Sequence, residues 1–182
     1  MLLWILLAIV VVLVLVLITF YNRLVRFRNR VENAWAQVDV QLKRRYDLIP
    51  NLVETVKGYA SHERETFEAV TNARAAAQSA TGPTEQGAAE GLLSAALGRL
   101  IAVAEAYPEL QADENFRQLQ EELAQTENRI AVSRQVYNDT VLTYNTAIQT
   151  VPGVFFAGPF GFSKKDFFEA EDATREAPRV AF

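Results

Sequence analysis

The chain contains no cysteine and a single histidine, His62, in 182 residues. The missing cysteines exclude disulfides, cysteine nucleophiles, thiolate metal sites and palmitoylation. One imidazole excludes every site that needs two. His62-Glu63 has no second histidine at metalloprotease spacing. A di-iron bundle needs two Glu-x-x-His pairs, which one histidine cannot supply. A Ser-His-Asp triad would have to recruit His62, and no nucleophile-elbow sequence accompanies it. The glycine motifs that cradle phosphates, G-x-x-x-x-G-K-S/T and G-x-G-x-x-G, are also missing. The one all-carboxylate candidate for a cation, Glu105, Glu109, Asp113 and Glu114, reads more simply as a solvated helix end. No catalytic, cofactor or metal residue is assigned, and the expectation is a protein that is not an enzyme.

Charge is scarce as well, at 22% of residues, while half the chain is apolar. The apolar residues are unevenly spread. Leu2 to Phe20 reads LLWILLAIVVVLVLVLITF, with Thr19 its only polar side chain. Its helical length of roughly 28 Å matches a hydrocarbon core of ~30 Å. A soluble helix would show a polar face, and this run has none. A cleaved signal peptide fits poorly: no Lys or Arg precedes the run, and no A-x-A site follows it. Residues 1–22 are therefore expected to be an uncleaved anchor, with Trp4 and Tyr21 as interfacial aromatics.

Residues 23–45 hold seven basic side chains against Glu32 and Asp39, a net +5, which leaves −9 on residues 46–182. The positive-inside rule then predicts an outside N-terminus and a cytoplasmic body. Arg23, Arg26, Arg28 and Arg30 are the candidate membrane-surface residues, able to attract anionic headgroups or simply to set topology. The acidic body argues against nucleic acid as a partner.

Beyond the anchor the spacing is helical. Leu24, Phe27, Val31, Trp35, Val38, Leu42, Tyr46, Ile49, Val53, Val56 and Ala60 recur at three- and four-residue intervals. Pro50 interrupts them. Pro inside a helix loses a hydrogen bond and costs ~3 kcal/mol, but is tolerated in a first turn. With Asp47 as N-cap, the pattern predicts two helices, about 22–45 and 48–79. The alternative is one long helix kinked at Pro50. Thr81-Gly82-Pro83-Thr84 is turn chemistry. A third helix follows over about 85–106, with Leu92, Leu93, Ala96, Leu100 and Val103 on one face. Tyr107-Pro108 ends it. Asp113 caps a fourth, about 114–150, which Pro152-Gly153 stops. The expected fold is all-α: a transmembrane helix continuing into an antiparallel four-helix up-down bundle over 23–150, then an aromatic C-terminal segment over 151–182.

Seven of the eleven Phe fall in residues 155–182. Phe155, Phe156, Phe160, Phe162, Phe167 and Phe168 are candidates for a membrane interface or a partner surface. The plainer alternative is that the segment folds back and buries its own rings. Tyr137-Asn138 and Tyr144-Asn145 repeat at seven residues and so share a helix face. Together with Glu127 and Arg134 they are expected to fix register at a bundle seam, or less simply to bind a ligand.

Residues 31–57, VENAWAQVDVQLKRRYDLIPNLVETVK, resemble the opening motif of the LemA family. So do RLIAVAEAYPEL at 99–110, NFRQLQEELAQTENRIAVSRQVYNDTVLTYN at 115–145, and the closing TVPG with its aromatic tail. Val151 stands where the family often has Phe. The resemblance implies an N-terminally anchored inner-membrane protein with a four-helix soluble domain. It brings no catalytic residues, and some members are associated with organising or remodelling bacterial membranes. The functional expectation is a non-enzymatic protein that self-associates, as a homo-oligomer, or binds a membrane-protein partner at the lipid bilayer. The alternative is an adaptor of a membrane protease or cell-envelope enzyme. No cofactor is expected.

Overall fold

A computed structural model describes residues 1–169. These residues are all-helical, in six helices with no strand among them. Helix α1 runs unbroken over Leu2–Tyr59. It is followed by α2 over Arg64–Ser79, α3 over Gly82–Glu105, α4 over Pro108–Ala112, α5 over Glu114–Gln149 and α6 over Gly153–Ala157. The part of the aromatic segment beyond residue 169 lies outside the described residues.

The expected break at Asp47 is absent. Pro50 sits inside α1, and the chain turns only at Ala60–Glu63. A proline has no N–H to donate, so it leaves the carbonyl four residues earlier unbonded. Here that carbonyl belongs to Tyr46, and Arg74 Nε on α2 donates to it at 2.8 Å. The lost helical bond is replaced from another helix, so the helix continues through Pro50. The helix expected over 48–79 is therefore split: its first part belongs to α1 and its second is α2. The third and fourth helices lie within a few residues of their expected bounds.

Residues 23–59 of α1 and the whole of α5 each measure about 55 Å and run antiparallel. Tyr59 reaches Asp113 at one end, Arg45 reaches Glu127 in the middle, and Trp35 meets Tyr137 further down. This constant register keeps the apolar stripes face to face. Leu24, Val31, Val38, Leu42, Ile49, Leu52 and Val56 of α1 are buried in the core with Phe116, Leu123, Ile130, Val141 and Ile148 of α5. Full burial of each such side chain contributes roughly 1.5–3 kcal/mol.

The other two helices are shorter, ~24 Å for α2 and ~36 Å for α3, and pair as a hairpin over the half of the α1–α5 pair distant from the apolar run. Phe67 and Val70 of α2 and Leu93, Ala96, Leu97 and Leu100 of α3 complete the core there. Leu92, expected on that face, is exposed instead. The half near the apolar run is closed mainly by the short helix α6 and by an extended strap, residues 163–168, that lies against α5 and α1.

Candidate functional site

The Tyr-Asn repeat on α5 holds that strap. Asn145 Nδ2 donates to the Lys165 carbonyl at 2.8 Å, and the Lys165 N–H donates to Asn145 Oδ1 at 2.9 Å. Two turns earlier, Asn138 makes the same pair of bonds with Phe168, at 3.2 and 2.9 Å. The amide side chain is the only one that offers both a donor and an acceptor in this geometry. Each asparagine thus replaces a neighbouring strand for one residue of extended backbone. The tyrosines fill the intervals: Tyr144 Oη donates to the Ser163 carbonyl at 2.9 Å and Tyr137 Oη to the Asp166 carbonyl at 2.8 Å. Seven residues on a helix advance ~10.5 Å, close to the ~10 Å that three extended residues span. The seven-residue repeat therefore matches Lys165 and Phe168.

Asn138 and Asn145 thus set the register of a strap on a helix rather than of one helix on another. Glu127 and Arg134 take no part in the ladder. Arg134 is half-buried and makes no ion pair among the described residues. Burial raises the Tyr137 hydroxyl to about 12, with the nearby Asp166 carboxylate adding to it. Tyr144 is raised chiefly by burial as well.

A second polar cluster lies where α1, α3 and α5 meet. Arg45 is almost wholly buried; its Nη1 is 2.7 Å from Glu90, and its Nη2 lies 2.8 Å from Ser94 and 3.1 Å from the half-exposed Glu127. Tyr46 donates to the other oxygen of Glu90. Gln86 donates to Tyr46 Oη at 2.8 Å and to the Ala77 carbonyl at 3.0 Å. Burial, then the Glu90 contact, raises the Tyr46 hydroxyl far above its usual value. A cleft of about 310 Å³ opens beside Arg45, lined largely by Leu97, Ile101, Leu123 and Ala124. Arg45, Tyr46, Gln86 and Glu90 were not singled out as site residues. Their signal was an arginine and a tyrosine sitting on the inward stripe of α1.

The six candidate phenylalanines separate by burial. Phe162 and Phe168 are buried, Phe162 under Tyr21 with Arg28 over its ring, and Phe168 edge-on to Trp35. Phe167 is partly buried against the same core. Phe156 is half-buried, 6.5 Å from Phe20, while Phe155 and Phe160 remain exposed. Of the four arginines, Arg23 and Arg30 lie over Phe27, and Arg26 Nε donates to the Asn22 carbonyl at 3.3 Å. His62 is exposed in the α1–α2 turn. Asp113 accepts from the Phe116 N–H at 2.8 Å as the N-cap of α5, which lowers its carboxyl below the usual range. No group of three or more His, Cys, Asp or Glu side chains placed to hold a metal occurs among the described residues.

These features define an all-helical protein whose first helix is long and apolar enough to cross a membrane at its N-terminal end, and whose α1–α5 pair is closed by its own C-terminal strap. The chain belongs to the LemA family, whose sequence profile matches residues 34–182. It is 29% identical to magnetosome protein MamQ 2 of Paramagnetospirillum magneticum, over 90% of this chain and 70% of that protein. It is 28% identical to magnetosome protein MamQ of Magnetospirillum gryphiswaldense, over 84% and 66%. Protein LemA of Metamycoplasma hominis is 26% identical, over 71% and 59%.

Proposed function

We propose that this is a membrane-anchored, non-enzymatic helical protein that self-associates or binds partners at the bacterial inner membrane and organises the membrane there. The observation that carries this reading is the continuity of α1. The apolar run and the central helix of the body are one 58-residue helix, so the body's orientation relative to the bilayer is fixed by a rigid element. A flexible linker would fix nothing. The N-terminus then lies outside, with the arginine-rich turns and the body on the cytoplasmic side. The MamQ relatives are named for a membrane compartment, which favours a role at a membrane surface.

The interior polar groups support a structural role over a chemical one. The Tyr-Asn ladder is spent on strap backbone, and Arg45, Glu90 and Tyr46 largely on one another. Full-length protein reconstituted in nanodiscs and in liposomes tests the reading. Particles larger than one chain, or liposomes with altered shape or clustering, are expected. A strictly monomeric protein that leaves liposomes unchanged would overturn it.

A further inference from the structure

We infer that α6 and the residues flanking it form a second membrane contact, an apolar wedge that enters the headgroup and upper acyl region of the leaflet beside α1. The inference rests on the anchoring proposed above.

The height of this segment is fixed by ring contacts. Phe156 lies 6.5 Å from Phe20, the last residue of the apolar run, and Tyr21 lies 5.4 Å from Phe160 and 5.7 Å from Phe162. With 1.5 Å of rise per residue, α6 stands level with the point where the run ends. Its two sides differ. Gly153, Ala157 and Phe162 are buried inward. Outward, Val151, Val154, Phe155 and Phe160 are 74, 47, 68 and 43% exposed. Val151, Val154 and Phe155 share a spacing of three and four residues. From Thr150 to Phe162 the sequence TVPGVFFAGPFGF carries no charge. In water such a patch would be an unusual expense of exposed apolar surface. At the bilayer interface, short apolar and aromatic segments with one face on lipid are stable. The charge this location needs is present at the same level: Arg28 lies over the Phe162 ring, and Arg23 and Arg26, within two turns of Phe20 on α1, and Lys164, two residues after Phe162, are exposed cations.

Gly153 makes the placement stiff. A Cβ there would stand 1.9 Å from the Ala147 carbonyl oxygen, so α6 leaves α5 at close backbone contact. The strap anchors its other end through Ser163 and Lys165. The wedge is thus held from both sides, with its apolar face turned away from the body.

The absence of cysteine makes the test clean, because Phe155→Cys introduces the only thiol. The full-length variant carries an environment-sensitive fluorophore at that position. It is reconstituted at low protein-to-lipid ratio in vesicles of phosphatidylcholine and phosphatidylglycerol, with or without brominated acyl chains. A second variant, Gln118→Cys, reports from the far end of α5. Flotation of the same samples reads the anchor independently. The expected result is co-flotation, with fluorescence at 155 quenched several-fold by brominated lipid and none at 118. Co-flotation with 155 no more quenched than 118 overturns the wedge and leaves the anchor standing. A fluorophore at 155 that is shielded but not quenched by lipid means that protein covers the patch, and likewise overturns it. Failure to float overturns both.

Discussion

Arg74 Nε donates to the Tyr46 carbonyl at 2.8 Å, the carbonyl that Pro50 cannot reach. This contact lets one helix serve as both apolar segment and bundle spine. Arg74→Leu should leave that carbonyl orphaned beside the core and cost about 1–3 kcal/mol. In a Pro50→Ala background residue 50 regains its N–H, so Arg74→Leu should cost much less. Denaturant unfolding in detergent across the four proteins gives the coupling energy. A coupling near zero would show that Arg74 does not substitute for the missing bond.

The same contact explains what sequence reasoning reached and what it missed. The inward stripe of α1, the break between α2 and α3 and the Asp113 cap are written in neighbouring residues, so local spacing finds them, although Gly82 and Pro83 open α3 rather than lie in the turn before it. The penalty of Pro50 is local too, but its remedy comes from Arg74, 28 residues beyond Tyr46 and on another helix. A local reading therefore broke the helix where the folded chain does not. The Tyr-Asn repeat was equally visible, spaced for one helix face. Its partner was not, because the strap contributes backbone groups and these leave no mark in the side-chain sequence. The phenylalanines were conspicuous as a cluster, but only tertiary contacts sort Phe162 and Phe168 from Phe155 and Phe160.

The ladder predicts how the strap detaches. Asn145→Leu removes a donor and an acceptor at once and strands the Lys165 N–H and carbonyl. A loss of about 1–3 kcal/mol is expected, concentrated on the strap rather than the whole bundle. Trypsin should then cut after Lys164 and Lys165 many times faster, with α1–α5 unfolding little affected. Asn145→Asp keeps the acceptor for the Lys165 N–H but turns an oxygen toward the Lys165 carbonyl. It should therefore loosen the strap nearly as much. Unchanged cleavage in both variants would remove the clamp role.

Strap attachment should also fail at high pH. Burial raises Tyr137 to about 12, and it raises Tyr144 and Tyr46 as well. A folded-state value above the unfolded one means that the folded protein holds the proton more tightly. The associated stability is complete below the ordinary tyrosine value of 10.0 and is lost as pH rises from there through about 12. Ionised Tyr137 can no longer donate to the Asp166 carbonyl. Phenolate absorbance should therefore appear together with tryptic sensitivity of the strap. Tyr137→Phe should weaken the strap at neutral pH and flatten its dependence at alkaline pH. A strap that stays protected after its tyrosines ionise would contradict this.

Arg45 sits between two carboxylates of unequal worth, and mutation should separate them. Glu90 is buried with it at 2.7 Å, whereas Glu127 is half-exposed at 3.1 Å. A buried charge that loses its partner costs about 3–5 kcal/mol, while an exposed pair contributes about 0–1 kcal/mol. Glu90→Gln preserves shape and should approach the lower end of the first range, because Glu127 still faces the guanidinium. Glu127→Gln should cost less than about 1 kcal/mol. Replacing both buried partners, Arg45→Met with Glu90→Met, should recover much of the loss, since two desolvated charges disappear together. Tyr46 and Gln86 would then lose their shared acceptor on Glu90, so recovery should stop short of the parent stability. Thermal unfolding of the three variants orders these effects. Equal losses for Glu90→Gln and Glu127→Gln would mean that burial does not decide which carboxylate holds Arg45.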